Sequence, residues 1–141
     1  MICSMPRSLL TLLLAYTTAS AFHYVHNAIF LESYPNMPDW ISRIEVYGAL
    51  LLVTAIGVLG YLFYRFQFRR IGLIVIAIYA GFGFDGLAHY SLAPVSEHTV
   101  VMNLTIWSEV ITASLLLLVV FIIIARHGLR ADRTNQFSAR G

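Results

Sequence analysis

The sequence predicts an all-α integral membrane protein, a bundle of four transmembrane helices that run up-down-up-down with both termini in the cytoplasm. Two observations predict this fold class. The 141-residue chain is 59% hydrophobic and only 11% charged, and its mean hydropathy of +0.77 is far from that of an ordinary soluble domain. Its arginines are also concentrated on one side of the apolar runs, as the positive-inside rule describes for a multi-pass protein.

Four apolar runs are long enough to cross a bilayer, which takes at least about 18 residues of helix. Because the connections between the runs are short, neighbouring helices should pack antiparallel. One transmembrane domain then covers residues 1–126, and residues 127–141 form a polar, arginine-rich tail. We expect this tail to be partly disordered and either solvated or in contact with anionic lipid. The four runs cover residues 8–31, 41–64, 71–92 and 99–124.

The first apolar run has a second interpretation. Arg7, the apolar stretch after it and the small residues 19–21 resemble a cleavable secretory signal. The apolar character continues as far as residue 31, however, and this length is sufficient to span a membrane. We therefore expect a retained helix.

The distribution of basic residues predicts the orientation. All nine are arginines, and only Arg43 lies between the first and second runs. The others precede the first run, connect the second and third, or follow the fourth, which places both termini in the cytoplasm. The prediction is a multi-pass protein of a bacterial-type inner (plasma) membrane. The arginines on the cytoplasmic side are Arg7, Arg65, Arg69, Arg70, Arg126, Arg130, Arg133 and Arg140.

Composition also limits the partners. The lipid bilayer is one expected partner, and assembly into a homo-oligomer or a larger membrane complex is a further possibility. The net charge of +2 is too small to indicate nucleic-acid binding. The single cysteine, Cys3, excludes an intramolecular disulfide and a CxxC metal or redox motif.

Glycines recur in the second and third runs. Small residues allow helix backbones to approach closely in membrane bundles, so these positions predict close helix contacts. They are Gly48, Gly57, Gly60, Gly81, Gly83 and Gly86.

Ionisable side chains interrupt all four apolar runs at similar depth, in the outer half of the predicted bundle. A charged side chain in hydrocarbon costs a few kcal/mol on insertion scales, so such groups normally face the protein interior. Together they must share protons, pair with one another or bind a cation. Glu109 lies deepest, roughly 15 Å along the fourth run. The predicted site residues are His23, His26, Glu45, Asp85, His89 and Glu109.

Imidazole nitrogens and carboxylate oxygens are suitable ligands for zinc, copper or iron. Helix bundles hold metal centres with such ligands, which project inward from facing helices. The pair Asp85 and His89 would lie on one helix face, one turn apart, as would His23 and His26. The sequence therefore predicts a transition-metal site, in a small metalloenzyme or in a metal-holding subunit of a membrane redox complex. It does not specify a reaction.

Three residues carry a resemblance to a known family. An Asp-x-x-x-His pair on a membrane helix followed by another histidine, here Asp85, His89 and His98, resembles one ligand pattern in the copper-dependent membrane monooxygenases. This resemblance covers only residues 85–98. A solvated histidine in the outer loop is the other interpretation of His98.

Three further functions remain open. His26 and His89 at matched depth would suit b-type haem, which binds axial histidines, although the neighbouring acids favour a metal ion. Asp85, His89 and Glu109 could form a proton or ion relay that opens outward, but the apolar inner half disfavours a path through the whole membrane. The third is a non-catalytic structural accessory subunit of a membrane complex, in which the polar layer only fixes the register of the helices.

Overall fold

The computed structural model of the protein describes residues 4–138, with side chains described as far as residue 126. All regular structure in this part is helical. Cys3 and residues 139–141 of the predicted tail lie outside the described residues, as do the side chains of residues 127–138. The α-helices are α1 (Arg7–Ile29), α2 (Arg43–Arg65), α3 (Arg69–Gly81), α4 (His89–Leu92) and α5 (Val100–Ser138), and short 3₁₀ helices cover Leu31–Ser33, Phe82–Ala88 and Val95–Glu97.

Four helical segments are long and apolar enough to cross a membrane, which confirms the number and positions of the predicted runs. They are Arg7–Ile29, Arg43–Arg65, Arg69–Leu92 and Val100–Arg126. Large apolar side chains on their outer faces are exposed, for example Leu51 at 72% and Leu118 at 55%. Contact with lipid requires an apolar outer surface of this kind.

The start of α2 follows from a capping box. The Ser42 hydroxyl accepts a hydrogen bond from the backbone N–H of Glu45 (3.4 Å), and the Glu45 carboxylate accepts one from the backbone N–H of Ser42 (2.7 Å). This exchange satisfies two backbone donors that a helix N-terminus would otherwise leave unpaired. Glu45 thus has a local structural role that the sequence analysis did not assign to it.

One end of the bundle has an apolar core. Tyr16 and Tyr79 lie at its centre with their ring centroids 4.6 Å apart. The Tyr16 hydroxyl donates to the backbone carbonyl of Tyr79 (3.1 Å), and the Tyr79 hydroxyl donates to Thr17 Oγ1 (3.0 Å), so both phenols are paired. Buried aliphatic side chains surround them, among them Leu9, Leu13, Leu73, Ile76, Leu116 and Val120.

Small residues bring α2 and α3 into direct backbone contact. A methyl group at Gly72 would lie 2.5 Å from the Tyr64 nitrogen and 2.9 Å from the Gly60 carbonyl oxygen. The prediction of close approach is confirmed at Gly57 and Gly60, where an added methyl would lie 2.8 Å from the nearest side chain. It is wrong at Gly48 and Gly81, since a methyl there would meet no atom of the described chain within 4 Å.

The third long apolar segment is not one continuous α-helix. After α3, residues Phe82–Ala88 form a 3₁₀ helix, and α4 begins at His89. A 3₁₀ helix has three residues per turn, so positions four apart point about 120° away from each other rather than in one direction. Asp85 is accordingly exposed, whereas His89 is only 8% exposed. The prediction that these two side chains share one helix face is wrong for this reason.

Close packing accompanies the 3₁₀ segment. A methyl group at Gly83 would overlap the Cβ of Ala113 on α5 and would lie 2.8 Å from Cε2 of Tyr16 on α1. Gly83 therefore allows the segment to contact both helices at once. This contact fixes the position of Gly86 and His89, which follow it.

Candidate functional site

Buried polar side chains gather at the opposite end of the bundle from Leu9 and Val120. Burying a polar group without a partner costs free energy, so most buried polar groups in proteins are hydrogen-bonded. Here, six buried side-chain atoms of the described chain lack a hydrogen-bond partner, two of them on Glu109 and the others on Ser20, His23, Asn27 and His98. We use "polar site" for the side chains of His23, Asn27, Tyr34, His89, His98 and Glu109, each less than 10% exposed.

The deepest part of the polar site is a carboxyl and imidazole pair. Glu109 Oε2 on α5 lies 3.8 Å from His23 Nε2 on α1, and the two residues are 1% and 3% exposed. This distance is too long for a direct hydrogen bond. It is short enough for an ion pair or for one water molecule that bridges the two atoms. Neither carboxyl oxygen of Glu109 has a hydrogen-bond partner among the described residues.

Gly86 borders this pair. A methyl group at this position would lie 3.5 Å from Glu109 Oε2 and 3.5 Å from His23 Nε2, which is ordinary van der Waals contact. Glycine thus leaves a small space beside the two reactive atoms. The 3₁₀ conformation of Phe82–Ala88 directs residue 86 towards α1 and α5 and leaves Asp85 on the outside.

Three imidazole rings lie in a row that begins with His23 of this pair and runs towards the loop before α5. The ring centroids of His23 and His89 are 5.6 Å apart, and those of His89 and His98 are 6.2 Å apart. Asn27 Nδ2 donates to His89 Nε2 (3.2 Å), and the Tyr34 ring packs on His89 at 4.7 Å. Because His89 Nε2 accepts this hydrogen bond, its ring proton resides on Nδ1 when the ring is neutral.

His98 is a histidine of the polar site that lies outside the six predicted site residues. Its side chain is 6% exposed, so the interpretation as a solvated loop histidine is wrong. Its Nδ1 donates to the carbonyl of Pro94 (3.1 Å), and its Nε2 is buried without a partner. Asn103 Nδ2 donates to the carbonyls of Val95 and His98 (3.1 and 3.2 Å), which holds the turn against α5.

Tyr34 closes the site on the loop side. It is 3% exposed, and its hydroxyl forms a hydrogen bond of 3.0 Å with His26 Nδ1. Burial raises the pKa of Tyr34 to about 12, so this phenol remains neutral at physiological pH. His26 itself is only partly buried and lies at the rim, next to Phe30.

The structure brings together three of the six predicted site residues, His23, His89 and Glu109. His26 lies at the rim and is joined to the site by its hydrogen bond with Tyr34. Glu45 and Asp85 are both exposed and line a separate cavity beside the site, which Asn27 and His89 also border. Of the three added members, Asn27 lies on α1, whereas His98 and Tyr34 lie in loops, where sequence periodicity gives no signal of burial.

The side chains do not form a ready metal centre. Within the part of the chain that the structure describes, no three His, Cys, Asp or Glu side chains converge so that they could hold one metal ion. The expected zinc, copper or iron site therefore stays a prediction, as does the b-type haem.

The chemistry of the site must be inferred from its own geometry. Comparison with protein-family models, curated proteins and solved structures finds nothing that matches this chain. The polar site offers one carboxyl group, three imidazoles and one neutral phenol inside an otherwise apolar bundle. Imidazole and carboxyl groups are the side chains that most often accept and donate protons in protein sites.

Proposed function

We propose that this protein is a proton-relay component of a bacterial-type inner membrane, in which Glu109 and His23 form an internal proton-exchange site. His89 and His98 connect the site to the outer side of the bundle. The single observation that supports this function most strongly is the pair itself. Two ionisable side chains, 1% and 3% exposed, lie 3.8 Å apart with unpartnered polar atoms.

The membrane setting is part of the proposal. Four segments are long and apolar enough to span a bilayer, and eight of the nine arginines fall on one side of them. The positive-inside rule then favours an up-down-up-down bundle with cytoplasmic termini. In this orientation the polar site lies in the outer half of the membrane, and the apolar core around Tyr16 and Tyr79 lies in the inner half.

A carboxyl and imidazole pair is suited to proton exchange in a low-dielectric interior. The pair holds one shared proton either as a neutral acid beside a neutral ring or as a carboxylate beside an imidazolium. Both arrangements have zero net charge, so the pair avoids the large cost of an isolated buried charge. Movement of the proton between Glu109 Oε2 and His23 Nε2 requires only that the 3.8 Å gap closes slightly or is bridged by a water.

The histidines provide a route to the pair. An imidazole can accept a proton at one ring nitrogen and release another from the second nitrogen. His98 has a buried, unpartnered Nε2. Its ring centroid lies 6.2 Å from that of His89, which lies 5.6 Å from that of His23. The apolar core beyond Glu109 argues against a path through the whole bundle. We therefore propose a half-path that delivers protons to Glu109 from the outer side. A subunit that couples proton uptake to another event would use such a path.

Infrared spectroscopy of the protein in lipid films tests this function. The difference spectrum between wild type and Glu109→Gln isolates the Glu109 carboxyl band, and transfer to D₂O measures how fast its proton exchanges. We expect rapid exchange in wild type. His23→Gln and His98→Gln should each slow it by about 10²-fold, because each removes a proton carrier from the route.

His26→Gln is the matched control, since it changes another histidine at the same level that lies outside the route. We expect exchange at the wild-type rate in this variant. Equal rates in wild type and His23→Gln would overturn the proposal, as would the absence of exchange in wild type. The polar site would then have the purely structural role of fixing helix register.

A further inference from the structure

A cavity of about 380 Å³ lies beside the polar site, and His89 of the proton route forms part of its wall. Its walls come from α1, from the loop before α2, from the first turns of α2 and from the segment around α4. Ligand pockets in proteins are typically about 300–1,000 Å³, so this cavity has the size for a small molecule. Trp40, Glu45 and Asp85 line it and are exposed, and hence the cavity opens to the surface.

Two carboxylates give the cavity a negative character. Glu45 and Asp85 line it, and no arginine is among its lining residues. One oxygen of Glu45 accepts the capping hydrogen bond from Ser42, which fixes the carboxylate at the cavity wall. Such a cavity attracts a cation.

Asn27 supplies independent evidence for a ligand. It borders the cavity and is 8% exposed, and its side-chain oxygen has no hydrogen-bond partner. Its amide nitrogen is occupied by His89, which fixes the orientation of the group. A buried carbonyl oxygen without a partner costs roughly 1–3 kcal/mol, and an N–H donor on a ligand would remove this cost.

The remaining walls are apolar and aromatic. They include Tyr24, Trp40, Ile41 and Val46. An inorganic ion would leave this surface unused, whereas the apolar body of an organic cation would cover it. An ammonium group with N–H donors suits Asn27 and the two carboxylates, but a quaternary ammonium group has no such donors.

We propose that this cavity binds a small protonated amine with an apolar body. The ammonium group contacts Asp85, Glu45 and the side-chain oxygen of Asn27, and the apolar body packs against Trp40 and Tyr24. The binding does not require proton exchange at Glu109. His89, however, borders both the cavity and the proton route, and so it provides a contact through which an occupied cavity can influence the relay.

Fluorescence titration of the purified full chain in a nonionic detergent tests the proposal. Trp107→Phe removes the other tryptophan, so that Trp40 reports on the cavity. The probe is 2-phenylethylamine, and its comparison compounds are the alcohol of the same shape and the N-trimethylated ammonium. We expect saturable binding of the amine. The two comparison compounds should bind about ten-fold or more weakly, which corresponds to roughly 1.4 kcal/mol.

Variants locate the binding. Asp85→Asn and Glu45→Gln should each weaken amine binding by about ten-fold through loss of charge, and glutamine retains the oxygen that caps α2. Glu97→Gln removes an exposed acid outside the cavity and should leave binding unchanged. Equal binding of the alcohol would identify simple partition into the micelle and would overturn the proposal. Unchanged binding in Asp85→Asn would overturn it as well.

The two proposals fail separately. If amine binding follows these expectations while carboxyl exchange is insensitive to His23→Gln, only the relay is wrong. If exchange depends on His23 but the amine does not bind saturably, only the cavity proposal is wrong.

Discussion

The contact of the 3₁₀ segment with α1 and α5 makes a quantitative prediction for Gly83→Ala. The added methyl group would overlap Ala113 Cβ and lie 2.8 Å from Tyr16 Cε2, whereas ordinary contacts begin at 3.4 Å. The segment must therefore move by roughly 0.6 Å away from Tyr16 and by more away from Ala113, and overpacking of this kind costs about 1–3 kcal/mol. Because Ala113 has no flexible side chain that could rotate away, we expect a loss of about 2 kcal/mol.

Gly81→Ala is the matched control. It lies two residues earlier, at the end of α3, where an added methyl group meets no described atom within 4 Å. Alanine in a helix is favoured over glycine by about 0.5–1 kcal/mol, so this variant should be slightly more stable than wild type. Two substitutions of one chemical type, two positions apart, should thus have opposite effects.

Thermal unfolding in detergent, followed by circular dichroism, measures both variants. For a chain of this size 1 kcal/mol corresponds to about 2–4 °C in Tm, so Gly83→Ala should unfold about 4–8 °C below wild type. A Gly83→Ala protein as stable as Gly81→Ala would refute the close approach of the 3₁₀ segment to α5. It would also remove the geometric basis for the position of Gly86 beside Glu109.

Three further predictions concern the loop side of the bundle. In the ultraviolet difference spectrum between wild type and Tyr34→Phe, one phenol should titrate near pH 12 instead of 10. Between about pH 10 and pH 12 the folded state keeps this proton and the unfolded state loses it. The contribution of Tyr34 to stability should therefore be complete below about pH 10 and be lost as the pH rises to about 12. Titration of this phenol near pH 10 would contradict the burial of Tyr34. Ser42→Ala should destabilise the protein by about 0.5–1 kcal/mol through loss of the α2 cap, which the same thermal unfolding measures, and an unchanged Tm would contradict it. Treatment with a metal chelator should leave the exchange rate of the Glu109 carboxyl unchanged, because the proposed route uses only protein groups; a slower rate, together with near-stoichiometric metal by elemental analysis, would instead support the metal hypothesis.

The sequence predicted the helices well because their signal is local. Each apolar run is set by the residues within it, and the four predicted ranges agree with the four long segments to within a few residues at each end. The common level of His23, His89 and Glu109 along the bundle was also predictable, since it depends only on position along a helix. Their common burial agrees with the expectation that ionisable groups in such runs face the interior, but this expectation is wrong for Glu45 and Asp85, which are exposed.

The direction of individual side chains was less predictable where the backbone departs from an α-helix. The assumption of a continuous α-helix placed Asp85 with His89, but the 3₁₀ turns between Gly81 and His89 separate them. Glu45 looked like an intramembrane acid, but it caps the helix it begins. Both errors come from local geometry that hydropathy does not encode.

The sequence by itself therefore determined which segments are helical and apolar, and where along each helix the ionisable groups lie, because these properties belong to single helices. Only the tertiary structure decided which of these groups meet. The pairing of Glu109 with His23 depends on the contact between α1 and α5, and the burial of His98 and Tyr34 depends on how the loops fold over the end of the bundle. Contacts between residues distant in the chain depend on helix rotation and loop conformation, and a periodic pattern of hydrophobicity fixes neither of these.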